Sequence, residues 1–216
     1  MEQISVRDVR NINKLNIIRT ILQKRDLSRN DISSANNISV MTVKNIVDDL
    51  LKKKIIVEKK IDTSLIGRKP TALSVSGSVG KILTMDMTSK TLFHYVIYNI
   101  YGEKVDKRYY KCDINKDYIA NLKSFLEILK KDLDRLNVSS ILGIGVAVPG
   151  VYYADEDRVS NELIKELNDI RLRNVLSEYF DADNLIIEHD VKLAAVAESK
   201  GTGNMHHKGL YYFYVG

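Results

Sequence analysis

The chain has 216 residues, enough to bury one large core or two smaller ones. Its 33 Lys and Arg against 28 Asp and Glu give a net charge of +5, but residues 1–76 hold fifteen basic against eight acidic side chains (net +7) and residues 77–216 eighteen against twenty (net −2). A polyanion partner therefore belongs to the head, and a single cysteine, Cys112, excludes a disulfide framework and a cysteine-cluster zinc site. The longest apolar run, Ile141 to Val151, is broken by glycines and a proline and is too short to span a bilayer. The polar N-terminus carries no signal-peptide core, so the expected location is the cytoplasm and no membrane partner is expected.

Val9 to Lys24 is predicted to form a first helix with Ile12, Leu15, Ile18 and Leu22 on its buried face and Ile17 and Ile21 alongside. Arg10, Lys14 and Arg19 read first as a solvated face, with phosphate contact as the alternative. Ser28 is placed to cap a short helix over 29–35, Asn37 to take the positive φ of a tight turn, and Ser39 to cap a second helix from Val40 to about Lys53. In that helix Val43, Ile46, Val47, Leu50 and Leu51 form the buried stripe, which leaves Val40, Met41, Thr42, Lys44 and Asn45 facing outward.

Two β-prone runs, Ile55 to Lys59 and Ala72 to Val75, then flank the basic tip Ile66-Gly67-Arg68-Lys69-Pro70. Helix, turn, helix and slim basic ribbon in this order favour a winged helix-turn-helix that sets one helix in a major groove and Gly67, Arg68 and Lys69 at a minor groove. The alternative is an ordinary solvated hairpin beside a polar helical pair. The candidate DNA contacts are Arg29, Ser39, Val40, Met41, Thr42, Lys44, Asn45, Gly67, Arg68 and Lys69.

Small residues from Ser74 to Gly80 mark a boundary near residue 77. Strands are predicted at Lys81–Met87, Thr91–Asn99 and Val105–Tyr110, followed by an amphipathic helix from Asp117 to Leu136 with Ile119, Leu122, Phe125, Leu126, Leu129, Leu133 and Leu136 inward. A buried strand, Ile141 to Val148, ends at Pro149-Gly150. Beyond it come a polar excursion from Tyr152 to Asn161, a helix near Leu172–Phe180, a strand Leu185–Glu188, a helix from Val191 to Lys200 and a strand over Gly209–Val215. This order is α/β with one long crossover helix.

The chain resembles the repressor branch of the ROK family, which joins sugar-responsive bacterial repressors to sugar kinases. The resemblance is carried by Val9-Arg10-Asn11-Ile12-Asn13, Leu27-Ser28-Arg29, Ile38-Ser39-Val40-Met41-Thr42-Val43, Gly67-Arg68-Lys69-Pro70, Gly143-Ile144-Gly145-Val146-Ala147-Val148-Pro149-Gly150 and Glu188-His189-Asp190-Val191-Lys192-Leu193-Ala194-Ala195. Both prolines of the chain fall in these motifs. The resemblance implies an α+β protein, with residues 1–76 as a winged helix-turn-helix domain and 77–216 as the N-terminal lobe of an actin-like, ribonuclease-H-like sugar-kinase fold. It implies a sugar or sugar-phosphate effector near Gly150, Asn161, His189 and Asp190. Asp190 stands where the kinases hold the base toward the sugar hydroxyl. A helix N-cap role for Asp190 is equally compatible.

Two departures set this chain apart from the kinases. Asp86-Met87-Thr88-Ser89-Lys90 replaces the glycine-rich phosphate turn, and its side chains are expected to crowd a phosphate there. The sequence stops at Tyr214-Val215-Gly216, where the family's second phosphate segment would start, so the second lobe and its zinc loop are expected to be missing. The adjacent His206 and His207 do not make a metal site. The leading expectation is a dimeric, non-catalytic repressor that binds an operator in double-stranded DNA and needs no cofactor. The alternatives are an ATP-dependent sugar kinase and a DNA-binding module that has lost effector sensing.

Overall fold

Capping chemistry shapes the first of two units, Met1–Val79, into three helices and a strand pair: α1 (Val6–Lys24), α2 (Arg29–Asn36), α3 (Val40–Lys52), β1 (Ile56–Lys60) and β2 (Thr71–Val75). The computed structural model describes residues 6–60 and 71–201. Ser28 closes a capping box on α2: Ser28 Oγ accepts from the Asp31 N–H at 3.2 Å, and Asp31 Oδ2 accepts from the Ser28 N–H at 2.9 Å. The Ser28 hydroxyl, donating to Asp31 Oδ2 at 2.7 Å, and the Ser28 N–H hold the Asp31 carboxyl below its ordinary range. Asn37 ends α2 in the left-handed region with φ 52° and ψ 41°, and Ser39 Oγ starts α3 by accepting from the Thr42 N–H at 3.1 Å.

The core of this unit is Ile17, Ile21, Ile32, Val43, Ile46, Val47 and Leu50, closed by Ile56, Ala72, Leu73 and Val75. β1 and β2 pair antiparallel from Ile56↔Val75 to Lys60↔Thr71, and Leu27 adds a bridge to Leu73. Two predictions for helices change here. Leu51 is only half-buried. In α1, Ile17 and Ile21 carry the burial, whereas Ile12 is 50% and Leu15 63% exposed and Ile18 and Leu22 are half-buried. Both stripes have helical spacing, so periodicity alone does not say which of them meets the core. The segment 61–70, with Gly67, Arg68 and Lys69, and the strand predicted at Gly209–Val215 lie outside the described residues.

The second unit, Gly80–Gly216, is organised by a five-stranded mixed sheet of order β5-β4-β3-β6-β9. Its strands are β3 (Lys81–Asp86), β4 (Leu92–Tyr98), β5 (Lys104–Lys111), β6 (Ile141–Val148) and β9 (Leu185–His189). β3, β4 and β5 form an antiparallel meander, and β6 and β9 add parallel to β3. Parallel neighbours require crossovers. The first is α4 (Tyr118–Arg135), capped by Asp117, whose Oδ1 accepts from the Ala120 N–H at 2.7 Å.

One sheet face supplies Leu83, Met85, Met87, Phe93, Tyr95, Ile97, Ile144, Val146, Val148, Leu185 and Ile187 to a core completed by Leu122, Phe125, Leu126, Leu129 and Leu133 of α4. Ile119 and Leu136, expected inside, stay half-buried. Asp132 of α4 is buried, at 4% exposure, and ties the layers together. It accepts from Tyr95 Oη at 2.9 Å, from Arg108 at 2.6 Å and from Arg135 Nε at 3.4 Å.

The second crossover differs from expectation. The polar excursion folds into a hairpin of β7 (Val151–Tyr153) and β8 (Arg158–Ser160), followed by a 3-10 turn at Lys165–Asp169 and the short helix α5 (Leu172–Ser177). Helix α5 ends before Phe180, and its free N–H groups find an acceptor across the fold. Asp157, in the hairpin turn, accepts from the Arg173 N–H at 2.7 Å and the Asn174 N–H at 3.1 Å. After β9 the chain enters α6 (Asp190–Gly201) directly. Among the described residues no helix is long and apolar enough to cross a membrane.

Candidate nucleic-acid interface and ligand edge

In the first unit the N-terminal half of α3 is more exposed than its C-terminal half. Val40, Met41, Lys44 and Asn45 are exposed, Met41 at 65%, and Thr42 is half-buried. Ser39 and Thr42 are engaged in the cap, with their hydroxyl oxygens 2.9 Å apart. A depression of about 500 Å³ runs beside this half of α3, lined by Val9, Arg10, Asn13, Thr42, Asn45 and Ile46. Asn13 is absent from the sequence-derived contact set, and its place on the α1 face toward α3 is what brings it here.

Arg29 occupies a different environment from the one expected of a phosphate contact. Its guanidinium lies 2.8 Å from Glu58 and 3.5 Å from Asp48, so two carboxylates already share its charge. Lys14 likewise sits 3.2 Å from Asp49, linking α1 to α3. Lys44, by contrast, is exposed one turn into α3 and, among the described residues, forms no ion pair with a carboxylate.

In the second unit the candidate ligand residues gather where the parallel strands β3, β6 and β9 end. The register sets Asp86 beside Ala147, Ala147 beside Glu188 and Val148 beside His189. Ligands in open α/β sheets bind outside such carboxyl ends. Gly150 and Asn161 meet one another there. Gly150 has φ +115°, and a Cβ on it would lie 2.2 Å from the Ser160 carbonyl oxygen and 3.2 Å from Asn161 Nδ2.

Asn161 is a bracket for its own loop. Its Nδ2 donates to the Pro149 carbonyl, and its Oδ1 accepts from the N–H groups of Leu163 at 2.8 Å and Ile164 at 2.6 Å. Its backbone exchanges two bonds with the Asn168 side chain, at 2.8 and 3.0 Å. The acceptor of Asn161 is therefore fully used, and one amide hydrogen is left for a ligand. Sequence reading missed Asn168, which no spacing rule marks because its partner is seven residues away across a 3-10 turn. With Ser160, Asn161, Glu162, Lys165 and Asp169 it lines a polar depression of about 330 Å³.

His189 and Asp190 form the other pair. His189 Nε2 lies 3.2 Å from Asp190 Oδ1, which also accepts from the Val191 N–H at 2.8 Å at the start of α6. Glu188 pairs with Lys192 one turn on. Burial pushes the Glu188 carboxyl upward, but the bonds from Lys192 and the His189 N–H outweigh it and hold the group below its ordinary range. The structure thus joins the four predicted residues two by two at the ends of neighbouring strands.

The turn after β3 differs from expectation in how it is filled. Met87 does not crowd the approach, because its side chain is fully buried in the core and its backbone carbonyl accepts from Tyr118 Oη at 2.8 Å. The group at the turn is a carboxylate: Asp86 Oδ1 accepts from the Thr88 N–H at 3.0 Å and the Thr88 hydroxyl at 2.7 Å. An anion already holds the N–H that a phosphate would need. Among the described residues no cluster of His, Cys, Asp and Glu has the arrangement to hold a metal ion.

No family model matches the chain. Its relatives include a putative xylose repressor of Caldicellulosiruptor sp. (strain Rt8B.4), 30% identical over 212 residues that span 96% of this chain and 52% of the relative. The xylose repressors of Caldicellulosiruptor bescii and Staphylococcus xylosus are 28% and 27% identical, over 88% and 87% of this chain and 48% and 49% of their own. The chain therefore spans about half the length of the curated relatives it matches. Among solved structures, a ROK family transcriptional regulator described as a homolog of the E. coli Mlc protein superposes with a TM-score of 0.61 at 17% identity, covering 89% of this chain and 48% of that one. Along nearly all of its sequence the chain is thus similar to xylose repressors, and it shares the fold of a ROK family transcriptional regulator.

Proposed function

We propose that the chain is a sugar-responsive transcriptional repressor whose first unit is a winged helix-turn-helix and whose second senses a sugar without chemistry. The observation that carries the reading is α3. Its capped N-terminal half presents Val40, Met41, Lys44 and Asn45 to solvent on a helix whose other face is fixed in the core. A helix presented this way enters a major groove with its N-terminal side chains at base edges. Gly67, Arg68 and Lys69 extend the contact into a minor groove, and Ser39, Thr42 and Arg29 lie behind it as supports. The relatives' names make xylose the first effector to try, at the edge held by Gly150, Asn161, His189 and Asp190, in a cytoplasmic homodimer.

Selection of bound duplexes from a randomised pool by the whole chain, followed by titration at two salt concentrations, tests the reading. Much of the affinity is counterion release, so Lys44→Ala should weaken binding to every duplex and lower the salt slope by about one. Met41→Ala should instead change which sequence is selected. A chain that binds no duplex at low salt, or whose selected sequence is indifferent to both changes, overturns the proposal.

The kinase reading is disfavoured by the Asp86 carboxylate on the Thr88 N–H. Asp190-dependent phosphorylation of any member of a sugar panel with ATP would restore it.

A further inference from the structure

We infer that the depression between α1 and the N-terminal half of α3 seats one deoxyribose-phosphate unit of the bound duplex, with Arg10 and Asn13 of α1 as donors to the phosphate. The seat rests on the DNA-binding reading proposed above and adds a second helix to it. Arg10 and Asn13 lie three residues apart on α1, and Thr42 and Asn45 three apart on α3, so each pair shares a helix face. The two pairs line one depression of about 500 Å³, together with Val9 and Ile46. Ile46 is only 3% exposed and lies at its base.

The lining matches the chemistry of such a unit. Arg10 and Asn45 are exposed and Asn13 is half-buried, and among the described residues none of these three side chains has a hydrogen-bond or ion-pair partner. A guanidinium and two carboxamides therefore hold N–H donors in reserve around the hollow. Val9 and Ile46 give the deoxyribose ring an apolar surface to lie on. Among the described residues no carboxylate lines it. Asp8, the one acidic residue of α1, is absent from the lining and already has an interaction within the chain.

A second depression further along α3 has the opposite character. It measures about 570 Å³ and is lined by Asn45, Asp48, Asp49, Leu51 and Lys52. Its two carboxylates disfavour a polyanion, and Arg29, Lys14 and Lys53 are already paired with them. Asn45 therefore stands at a border, and the sugar-phosphate strand passes on its α1 side. The cations of α1 sort the same way. Lys14 is tied to Asp49, and Arg19, nine residues beyond Arg10, projects from the opposite side of the helix. Of the three α1 cations weighed as phosphate contacts, Arg10 is the one placed at the hollow.

The test titrates the whole chain and its variants against the duplex that the parent selects, at several salt concentrations. Arg10→Ala should weaken binding about tenfold and lower the salt slope by about one, as the loss of one phosphate contact requires. Arg10→Lys should keep the parent slope. Asn13→Ala should weaken binding about fivefold with the slope unchanged, because no charge is removed. None of the three should alter the selected sequence, since a phosphate contact carries no base information. Single uncharged methylphosphonates scanned along the duplex then locate the contact. At one linkage the parent should lose about tenfold while Arg10→Ala loses nothing further. Far-UV circular dichroism checks that each variant keeps its helices. If Arg10→Ala and Asn13→Ala bind like the parent, the seat is wrong and the α3 reading stands. A changed sequence preference, or methylphosphonate losses that Arg10→Ala leaves undiminished at every linkage, also overturns the seat. A chain that binds no duplex overturns both.

Discussion

Replacing Gly150 by alanine should destabilise the second unit far more than the loss of one glycine suggests. At φ +115° an alanine already strains the backbone, at a cost of about 1–3 kcal/mol. The added Cβ would also sit 2.2 Å from the Ser160 carbonyl, a backbone atom that cannot rotate away, so β8 must shift. That shift pulls Asn161 from the Pro149 carbonyl, a bond contributing about 0.5–1.5 kcal/mol net. The sum is roughly 2–4 kcal/mol. Gly143→Ala is the control, because nothing lies within 4 Å of a Cβ there and its φ is ordinary. Alanine at that site should be neutral or slightly stabilising, by less than about 1 kcal/mol. Urea unfolding of the whole chain, followed by a probe of the sheet, measures both. If Gly150→Ala costs no more than Gly143→Ala, the close approach of Gly150 to Ser160 of β8 is not what the backbone geometry says it is.

Asp132 gives a pH signature. Burial pushes its carboxyl upward, but the bonds from Arg108 and Tyr95 prevail and hold it below its ordinary range. A depressed carboxyl stabilises fully above the unfolded value near about 4 and loses that contribution as pH falls through the folded one. Asp132→Asn should therefore cost about 2–3 kcal/mol at neutral pH, discounted for the half-exposed Arg108, and the gap to the parent should close in acid urea titrations. In α1 the two stripes should separate cleanly in chemical denaturation at low protein concentration. Ile17→Ala should cost about 2–5 kcal/mol, and Leu15→Ala should stay within about 0.5 kcal/mol of the parent.

Local chemistry was the legible part of this sequence. Ser28, Asn37 and Ser39 were readable as caps and turn because each acts on groups within three or four residues. The alternating strands and the long helix α4 were readable from periodicity, and the mixed α+β architecture agrees with the superposition on a ROK regulator. What sequence could not rank was equal local evidence. Two apolar stripes compete on α1, and only packing decides that Ile17 and Ile21 go inward. Long-range polar contacts were invisible for a similar reason. Nothing near Asp157 predicts that it will cap α5, and nothing near Asp132 points to Arg108 on a neighbouring strand. At the candidate ligand edge the commitment of Asn161 to its own loop and the hold of the Asp86 carboxylate on the Thr88 N–H needed coordinates.

The capped turn between α2 and α3 also bears on the thermodynamics of recognition. Ser28, Asn37 and Ser39 satisfy the helix ends, while Ser33 Oγ donates to the Ile38 carbonyl at 2.6 Å and Thr20 Oγ1 to Asn36 Oδ1 at 3.2 Å. The turn is thus ordered by its own hydrogen bonds before any partner arrives. A binding surface that is already folded does not spend association energy on ordering its backbone. Heat capacity then becomes the informative observable: docking through α3 alone should show only the modest negative change of surface burial, without the large decrement of a segment that folds as it binds. Differences in affinity between DNA sequences would, on that basis, reflect the side chains of α3 rather than the work of building the helix.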